Sequence, residues 1–169
     1  KQSKHKKVEL ISKLFPSSKI LIPYRDPFQH AYSLLAQHEK FINDSAMDKF
    51  IFDYMRLIGH TEFGPHYIPL HNKNLIYTDN LDINHWIEQW LLTYMQCYEI
   101  SKKTSNIHFV CYEKLCSSKK YWHEILKISN LDETYDFEFM ESRKEILLEI
   151  DNEMSNKASS FYSKLFQSS

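Results

Sequence analysis

A short apolar segment that ends in arginine and leads straight into a helix constrains the fold of this chain most. Residues 19–24, KILIPY, predict a buried strand bounded by Pro16 and Pro27. Asp26 suits the N-cap of a helix and Pro27 suits its first position, so we expect a helix over 28–39.

The same junction has the composition of an anion site. Free N–H groups at the start of a helix, together with the helix dipole, favour negative charge. Arg25 adds a planar guanidinium that matches a phosphate, and Ser33 adds a hydroxyl. The alternative is an ordinary capped helix on which Arg25 pairs with a surface carboxylate.

Apolar spacing predicts the remaining elements. A second buried strand is expected over 107–112, and Gly59 is expected to end a helix as its C-cap. Short buried strands between helices indicate an α/β fold, rich in helix, with parallel strands flanked by helices. The other predicted helices lie within 1–15, after a basic loop, and over 48–58, 84–103, 121–128 and 143–166.

Composition narrows the class of protein. A length of 169 residues suits one domain, 1–169, and a net charge of −1 gives no case for nonspecific nucleic-acid binding. No apolar run reaches the roughly 18 residues of a membrane span, so we expect no membrane association. The three cysteines have no CxxC spacing, which indicates reduced thiols and a cytoplasmic location.

Glycine is scarce. The chain has only Gly59 and Gly64, both within one loop region. A loop that cradles phosphate needs glycine where the backbone approaches the ligand closely. A nucleotide enzyme built from this sequence would therefore have half of its phosphate site outside this chain.

Several segments, in order and spacing, resemble the PAPS-dependent sulfotransferases, and most closely the bacterial type (PAPS is 3′-phosphoadenosine 5′-phosphosulfate). Arg-Asp-Pro followed by serine resembles the family's 3′-phosphate-binding segment. The resemblance covers nearly all of the chain and is weakest over 40–81. The other matching segments are 1–5, the helix that begins near Trp86 and Trp90, 108–115, 122–131 and 150–165.

The resemblance implies a partial P-loop-NTPase-like three-layer fold that forms the C-terminal portion of a sulfotransferase domain, with 40–81 as an acceptor-binding or lid insertion. The implied reaction moves a sulfuryl group from PAPS to a hydroxyl or amine, and no metal is required. The acceptor is not identified and could be a small molecule, carbohydrate, lipid or peptide. The family's 5′-phosphosulfate loop lies upstream and would come from a missing N-terminal portion.

Family roles extend to five residues. Arg25 and Ser33 would bind the 3′-phosphate, and Tyr112 would lie near the adenine, although a core tyrosine is equally consistent with the sequence. Lys1 corresponds to a lysine near the transferred group. His5 is a candidate base for the acceptor, because histidine titrates near neutral pH; the alternative is a solvated loop residue.

Departures from the pattern keep other hypotheses open. Lys114 replaces an Asp of the family, and Arg143-Lys144-Glu145 lacks a glycine found in cytosolic animal enzymes. A noncatalytic binding module could dock a partner through the aromatic loop, residues 60–71. A nucleotide kinase remnant could place Arg25 on an ATP phosphate. The Tyr-Glu-x-Leu segment at 112–115 favours the sulfotransferase over the kinase.

Two further patterns have ordinary explanations. Four side chains of the aromatic loop region suggest a metal, but their spacing fits no zinc pattern, so a lid or acceptor-binding loop is the better functional interpretation. An aromatic stripe at helical spacing favours core packing over a substrate platform. The first group is His60, Glu62, His66 and His71, and the second is Trp86, Trp90, Tyr94 and Tyr98.

Overall fold

The computed structural model describes residues 4–132, 134 and 137–168, with side chains from Lys7 onward. The α/β class expected from the sequence is confirmed, in the form of a helix-rich chain with a small parallel sheet. The elements are α1 (Lys4–Leu14), β1 (Ile20–Tyr24), α2 (Pro27–Met47), α3 (Lys49–Leu57), a 3₁₀ turn (Gly64–His66), α4 (Ile83–Ser101), β2 (Ile107–Cys111), α5 (Tyr112–Ser117), α6 (Lys119–Ile128) and α7 (Asn152–Ser168).

The described residues divide into two compact units. The sheet unit comprises the described residues within 1–26, 94–145 and 159–169. The helical unit comprises Pro27–Thr93 and Ile146–Ala158.

β1 and β2 pair in parallel in the sheet unit. Ile20 lies opposite Ile107, and Tyr24 lies opposite Cys111. Both strands therefore end at the same edge of the sheet, where Arg25 follows β1 and α5 follows β2. Parallel strands need a long crossover connection, which the chain between β1 and β2 supplies.

Tyr24 lies at the centre of the sheet unit's core, with only 2% of its surface exposed. Its ring meets those of Tyr94, Phe109 and Tyr162 edge-on, with centroids 6.3, 6.2 and 5.9 Å away. The hydroxyl of Tyr94 donates to the carbonyl of Pro23 at 2.8 Å. Because proline has no N–H, Pro23 cannot donate a hydrogen bond to a further strand.

Most of the aromatic stripe of α4 is core, as the spacing predicts, and only Tyr98 is half-buried. In the helical unit Trp86 and Trp90 are 3% and 2% exposed. Tyr67 and Phe63 of the aromatic loop pack on Trp86 with centroids 4.9 and 5.9 Å away, and His38 of α2 lies at 5.3 Å. The first half of α4 thus anchors the loop to this unit.

The long terminal helix predicted over 143–166 is wrong at its start. The observed helix begins at Asn152, and Asp151 caps it by accepting the N–H of Met154 at 2.8 Å. The apolar residues before the cap continue the helical spacing without being buried as a face, and Leu147 is 85% exposed. The prediction, which used periodicity alone, therefore began the helix several residues before its cap.

Other boundaries follow local chemistry. α2 runs on to Met47 rather than ending near residue 39, and Asp48 then caps α3 by accepting the N–H of Phe50 at 2.8 Å. Gly59 ends α3 as expected, with φ +67°. His60 N–H donates to Met55 O at 3.0 Å, which completes the Schellman pattern.

Candidate functional site

Two of the predicted nucleotide-binding residues meet at the carboxyl ends of the two strands. Arg25 follows β1, and Tyr112 opens α5 directly after β2. The guanidinium carbon of Arg25 lies 4.9 Å from the centroid of the Tyr112 ring, within cation–π range. The carboxyl ends of parallel strands are the usual ligand-binding edge of an open α/β sheet. This pair is the core of the candidate site.

The hydrogen-bonding groups of Arg25 are partly used. Nη2 donates to the carbonyl of Ser142 at 2.7 Å. Nε is buried and has no hydrogen-bond partner among the residues that the structure describes. A buried donor without an acceptor is costly, so an additional acceptor at Nε would stabilise this arrangement.

Tyr112 contacts the same stretch of chain as Arg25. Its hydroxyl donates to the carbonyl of Met140 at 2.6 Å, so 140–142 supplies one carbonyl to each of the paired residues. Partial burial raises the pKa of Tyr112, the neighbouring Cys116 adds to this, and Arg25 opposes it. Tyr112 is therefore a neutral ring and hydrogen-bond donor near pH 7 rather than a base.

Glu113 joins the two strand ends through its carboxylate. Oε1 accepts the backbone N–H of Asp26 at 2.8 Å, and Oε2 accepts the hydroxyl of Tyr162 from α7 at 3.0 Å. The thiol of Cys111 lies 3.4 Å from Oε2. In the sequence, Glu113 stands out only as part of the Tyr-Glu-x-Leu segment. The residues next to it in the chain do not indicate these partners.

The two side chains that contact Glu113, Tyr162 and Cys111, are protonated at neutral pH. Burial raises the pKa of Tyr162, and the nearby Cys111 and Glu113 raise it further. Burial also raises the pKa of the Cys111 thiol, which is fully buried. Cys111 consequently lacks the exposed thiolate that a nucleophile requires.

Ser33 has a local partner in the helical unit. It lies on α2, where its hydroxyl donates to the carbonyl of Gln29 at 2.8 Å, one turn earlier. Arg25 belongs to the sheet unit. The joint binding of one phosphate by Arg25 and Ser33 stays a prediction.

The two residues predicted for the chemical step, Lys1 and His5, lie at the start of the chain. Lys1 lies outside the described residues. His5 belongs to α1 rather than to a loop, because that helix already begins at Lys4, and its side chain is not among those described.

The aromatic loop is a packed segment with a defined hydrogen-bond network. Tyr67 Oη lies 2.8 Å from Nε2 of His85, and Nδ1 of His85 lies 2.8 Å from the carbonyl of Tyr77. Because a carbonyl only accepts, Nδ1 carries the proton of a neutral His85, and Tyr67 donates to Nε2. Burial raises the pKa of Tyr67, which agrees with its role as a donor.

A second histidine, His38 of α2, accepts a hydrogen bond from the middle of the aromatic loop. The N–H of Gly64 donates to Nδ1 of His38 at 3.0 Å. Gly64 has φ +79°, and a Cβ built there would lie 3.0 Å from Cβ of Phe41. The loop therefore passes close to α2, where only glycine fits without displacing a neighbour.

A cavity of about 270 Å³ lies beside β2 in the sheet unit. Tyr98, His108 and Phe109 contribute to its wall, and neither Arg25 nor Tyr112 does. Nε2 of His108 is buried without a hydrogen-bond partner in the described part of the chain. Burial lowers the pKa of His108, and Lys19 lowers it further.

The described residues contain neither a candidate metal site nor a candidate membrane span. Within 4–132, 134 and 137–168, no group of His, Cys, Asp and Glu side chains has the arrangement of a metal site. Over the same residues, no helix combines the length and apolar character required to cross a bilayer. Comparison of the sequence with protein families and curated proteins, and of the fold with solved structures, finds no match.

Proposed function

We propose that this chain forms part of the nucleotide site of a PAPS-dependent sulfotransferase with a P-loop-NTPase-like fold. The observation that supports the proposal is the contact of Arg25 with Tyr112 at the carboxyl ends of adjacent parallel strands. The resemblance assigns these two residues to the nucleotide independently of each other, and they come from opposite halves of the chain.

The residues present suit an adenine nucleotide with a 3′-phosphate. The buried Nε of Arg25, without an acceptor among the described residues, fits a phosphate oxygen. The half-buried ring of Tyr112 offers an apolar surface near the adenine. Arg25 and Ser33 would hold the 3′-phosphate, and Tyr112 would lie beside the base.

When bound, PAPS supplies the activated sulfuryl group and leaves as a nucleotide 3′,5′-bisphosphate. The contribution of this chain is to bind and orient the nucleotide, which is a major part of catalysis when a group is transferred in line. Arg25 neutralises phosphate charge, and Tyr112, whose pKa is raised by partial burial, contributes its neutral ring. We also propose that His5 is the base that accepts the proton of the acceptor. Lys1 would lie near the transferred group.

The glycine-rich loop for the 5′-phosphosulfate has no counterpart in these 169 residues. We therefore place it in a further portion of the same enzyme, which acts in the cytoplasm on a hydroxyl or amine acceptor. A purely noncatalytic module that docks through the aromatic loop is less well supported, because Phe63 and Tyr67 pack within the helical unit.

Isothermal titration calorimetry on the complete enzyme tests the proposal. The ligands are 3′-phosphoadenosine 5′-phosphate and adenosine 5′-monophosphate, which differ only by the 3′-phosphate. We expect the bisphosphate to bind at least about tenfold more tightly, because each charge-assisted contact to the 3′-phosphate adds binding energy. Equal affinities for the two nucleotides would refute the assignment of this site.

A further inference from the structure

We infer that Glu113 is a positioning residue that fixes the direction of Arg25 in the candidate 3′-phosphate site. The inference rests on the proposed function for its ligand, and on the contacts of the sheet unit for its geometry. Glu113 is distinct from the residues assigned above, which would touch the nucleotide themselves.

Glu113 holds the peptide that joins Arg25 to Asp26. Oε1 of Glu113 accepts the N–H of Asp26 at 2.8 Å. That N–H belongs to the same planar peptide as the carbonyl of Arg25. A charged acceptor on this peptide restricts the backbone of Arg25 and so the direction in which its side chain leaves the chain end.

The two strand ends stay in register beyond the last residues of β1 and β2. Two consecutive residues after β1 face two consecutive residues after β2: Arg25 packs on the ring of Tyr112, and Asp26 donates to Glu113. The guanidinium and the ring are therefore held in contact by a hydrogen bond that lies one residue further along both chains.

Glu113 is held by protein donors on both carboxylate oxygens, which argues against a direct chemical role. Its two oxygens accept from Asp26 N–H and from the hydroxyl of Tyr162, with the Cys111 thiol 3.4 Å away. A carboxylate engaged by protein donors on both oxygens is a support rather than a base. The hydroxyl of Tyr162 in turn orients the carboxylate from α7.

Binding experiments on Glu113→Gln measure the effect on the 3′-phosphate. Glutamine keeps one acceptor oxygen but loses the charge and the second acceptor. We expect about tenfold weaker binding of 3′-phosphoadenosine 5′-phosphate, with adenosine 5′-monophosphate changed less than about twofold. Glu124→Gln, which removes the same charge from an exposed position of α6, should change neither affinity. In an Arg25→Ala background, Glu113→Gln should have no further effect on the bisphosphate.

A nucleotide-free measurement separates the two ideas. By NMR, Glu113→Gln should shift the Arg25 Nε–H resonance and speed exchange of the Asp26 amide by about tenfold, whereas Glu124→Gln should leave both unchanged. If these changes are seen, the positioning role is supported whatever the wild type binds. If the wild type also binds the two nucleotides equally tightly, the positioning role stands and the sulfotransferase site is rejected. An unchanged Arg25 resonance in Glu113→Gln would overturn the inference. An equal loss of affinity for both nucleotides in this variant would overturn it as well.

Discussion

At the scale of the residue, the environment of Arg25 combines an aromatic ring, a backbone carbonyl and a buried Nε without a described acceptor. The ring restricts the guanidinium, and the carbonyl of Ser142 satisfies one of its nitrogens. What is left is one buried donor that still lacks an acceptor among the described residues, which supports the proposal of an anion at the strand ends.

Tyr112 is expected to act through its ring rather than through its hydroxyl. Tyr112→Ala should weaken binding of 3′-phosphoadenosine 5′-phosphate by about 1–2 kcal/mol, because it removes the surface beside the base and the contact with Arg25. Tyr112→Phe loses only the hydrogen bond to Met140 O and should cost less than about 1 kcal/mol. Calorimetry that found the two variants equally weak would assign the role to the hydroxyl instead.

Part of this site could be predicted from the sequence. Arg25 stands out because the strand, the helix start and the arginine are consecutive, and Tyr112 stands out only through the family resemblance. Glu113 could not be predicted, because its partners Asp26 N–H and Tyr162 come from distant segments that only the folded chain brings together.

At the scale of the element, helix ends depend on single capping groups more than on periodicity. α3 begins at the Asp48 cap and ends at Gly59, both readable as local chemistry. The start of α7 was not predictable from apolar spacing, because the spacing continues through 143–150 while Asp151 sets the start of the helix. The core face of α4 was predictable because it is long and strongly periodic.

The two glycines provide a matched pair of substitutions. Both have positive φ, so alanine at either position costs about 1–2 kcal/mol of unfolding free energy from backbone strain. Gly59→Ala meets nothing within 4 Å, whereas Gly64→Ala meets Phe41 at 3.0 Å and should cost about 1–3 kcal/mol more. Urea denaturation measures both, and equal losses would show that the aromatic loop is not packed against α2 as described.

At the scale of the whole molecule, buried neutral histidines make the fold sensitive to acid. Burial lowers the pKa of His38, whose Nδ1 accepts the Gly64 N–H. Burial lowers the pKa of His108 as well. The unfolded chain takes up protons near pH 6.5 while the folded chain takes them up only at lower pH. These pH-dependent contributions of the two histidines to the unfolding free energy are largest above about pH 6.5. They are lost as the pH falls toward the pKa values of the histidines in the folded chain.

His38→Gln is expected to reduce this pH dependence. Glutamine does not titrate, and its side-chain oxygen accepts the Gly64 N–H in favourable geometry. Between about pH 7.5 and pH 5, the unfolding free energy of the variant should fall less steeply than that of the wild type. His123→Gln on α6 serves as the control. If the unfolding free energy falls equally steeply with pH in His38→Gln and in the wild type, His38 does not contribute to the acid sensitivity.

The most direct test of the central claim is the effect of Arg25→Ala on binding of 3′-phosphoadenosine 5′-phosphate by the complete enzyme. We expect calorimetry to show a loss of about 2–4 kcal/mol, because a phosphate would be left without its guanidinium. Arg56→Ala, which removes an exposed arginine that pairs with Asp53 on α3, should leave the affinity unchanged. Unaltered binding in Arg25→Ala would contradict the claim that the carboxyl ends of β1 and β2 hold the 3′-phosphate.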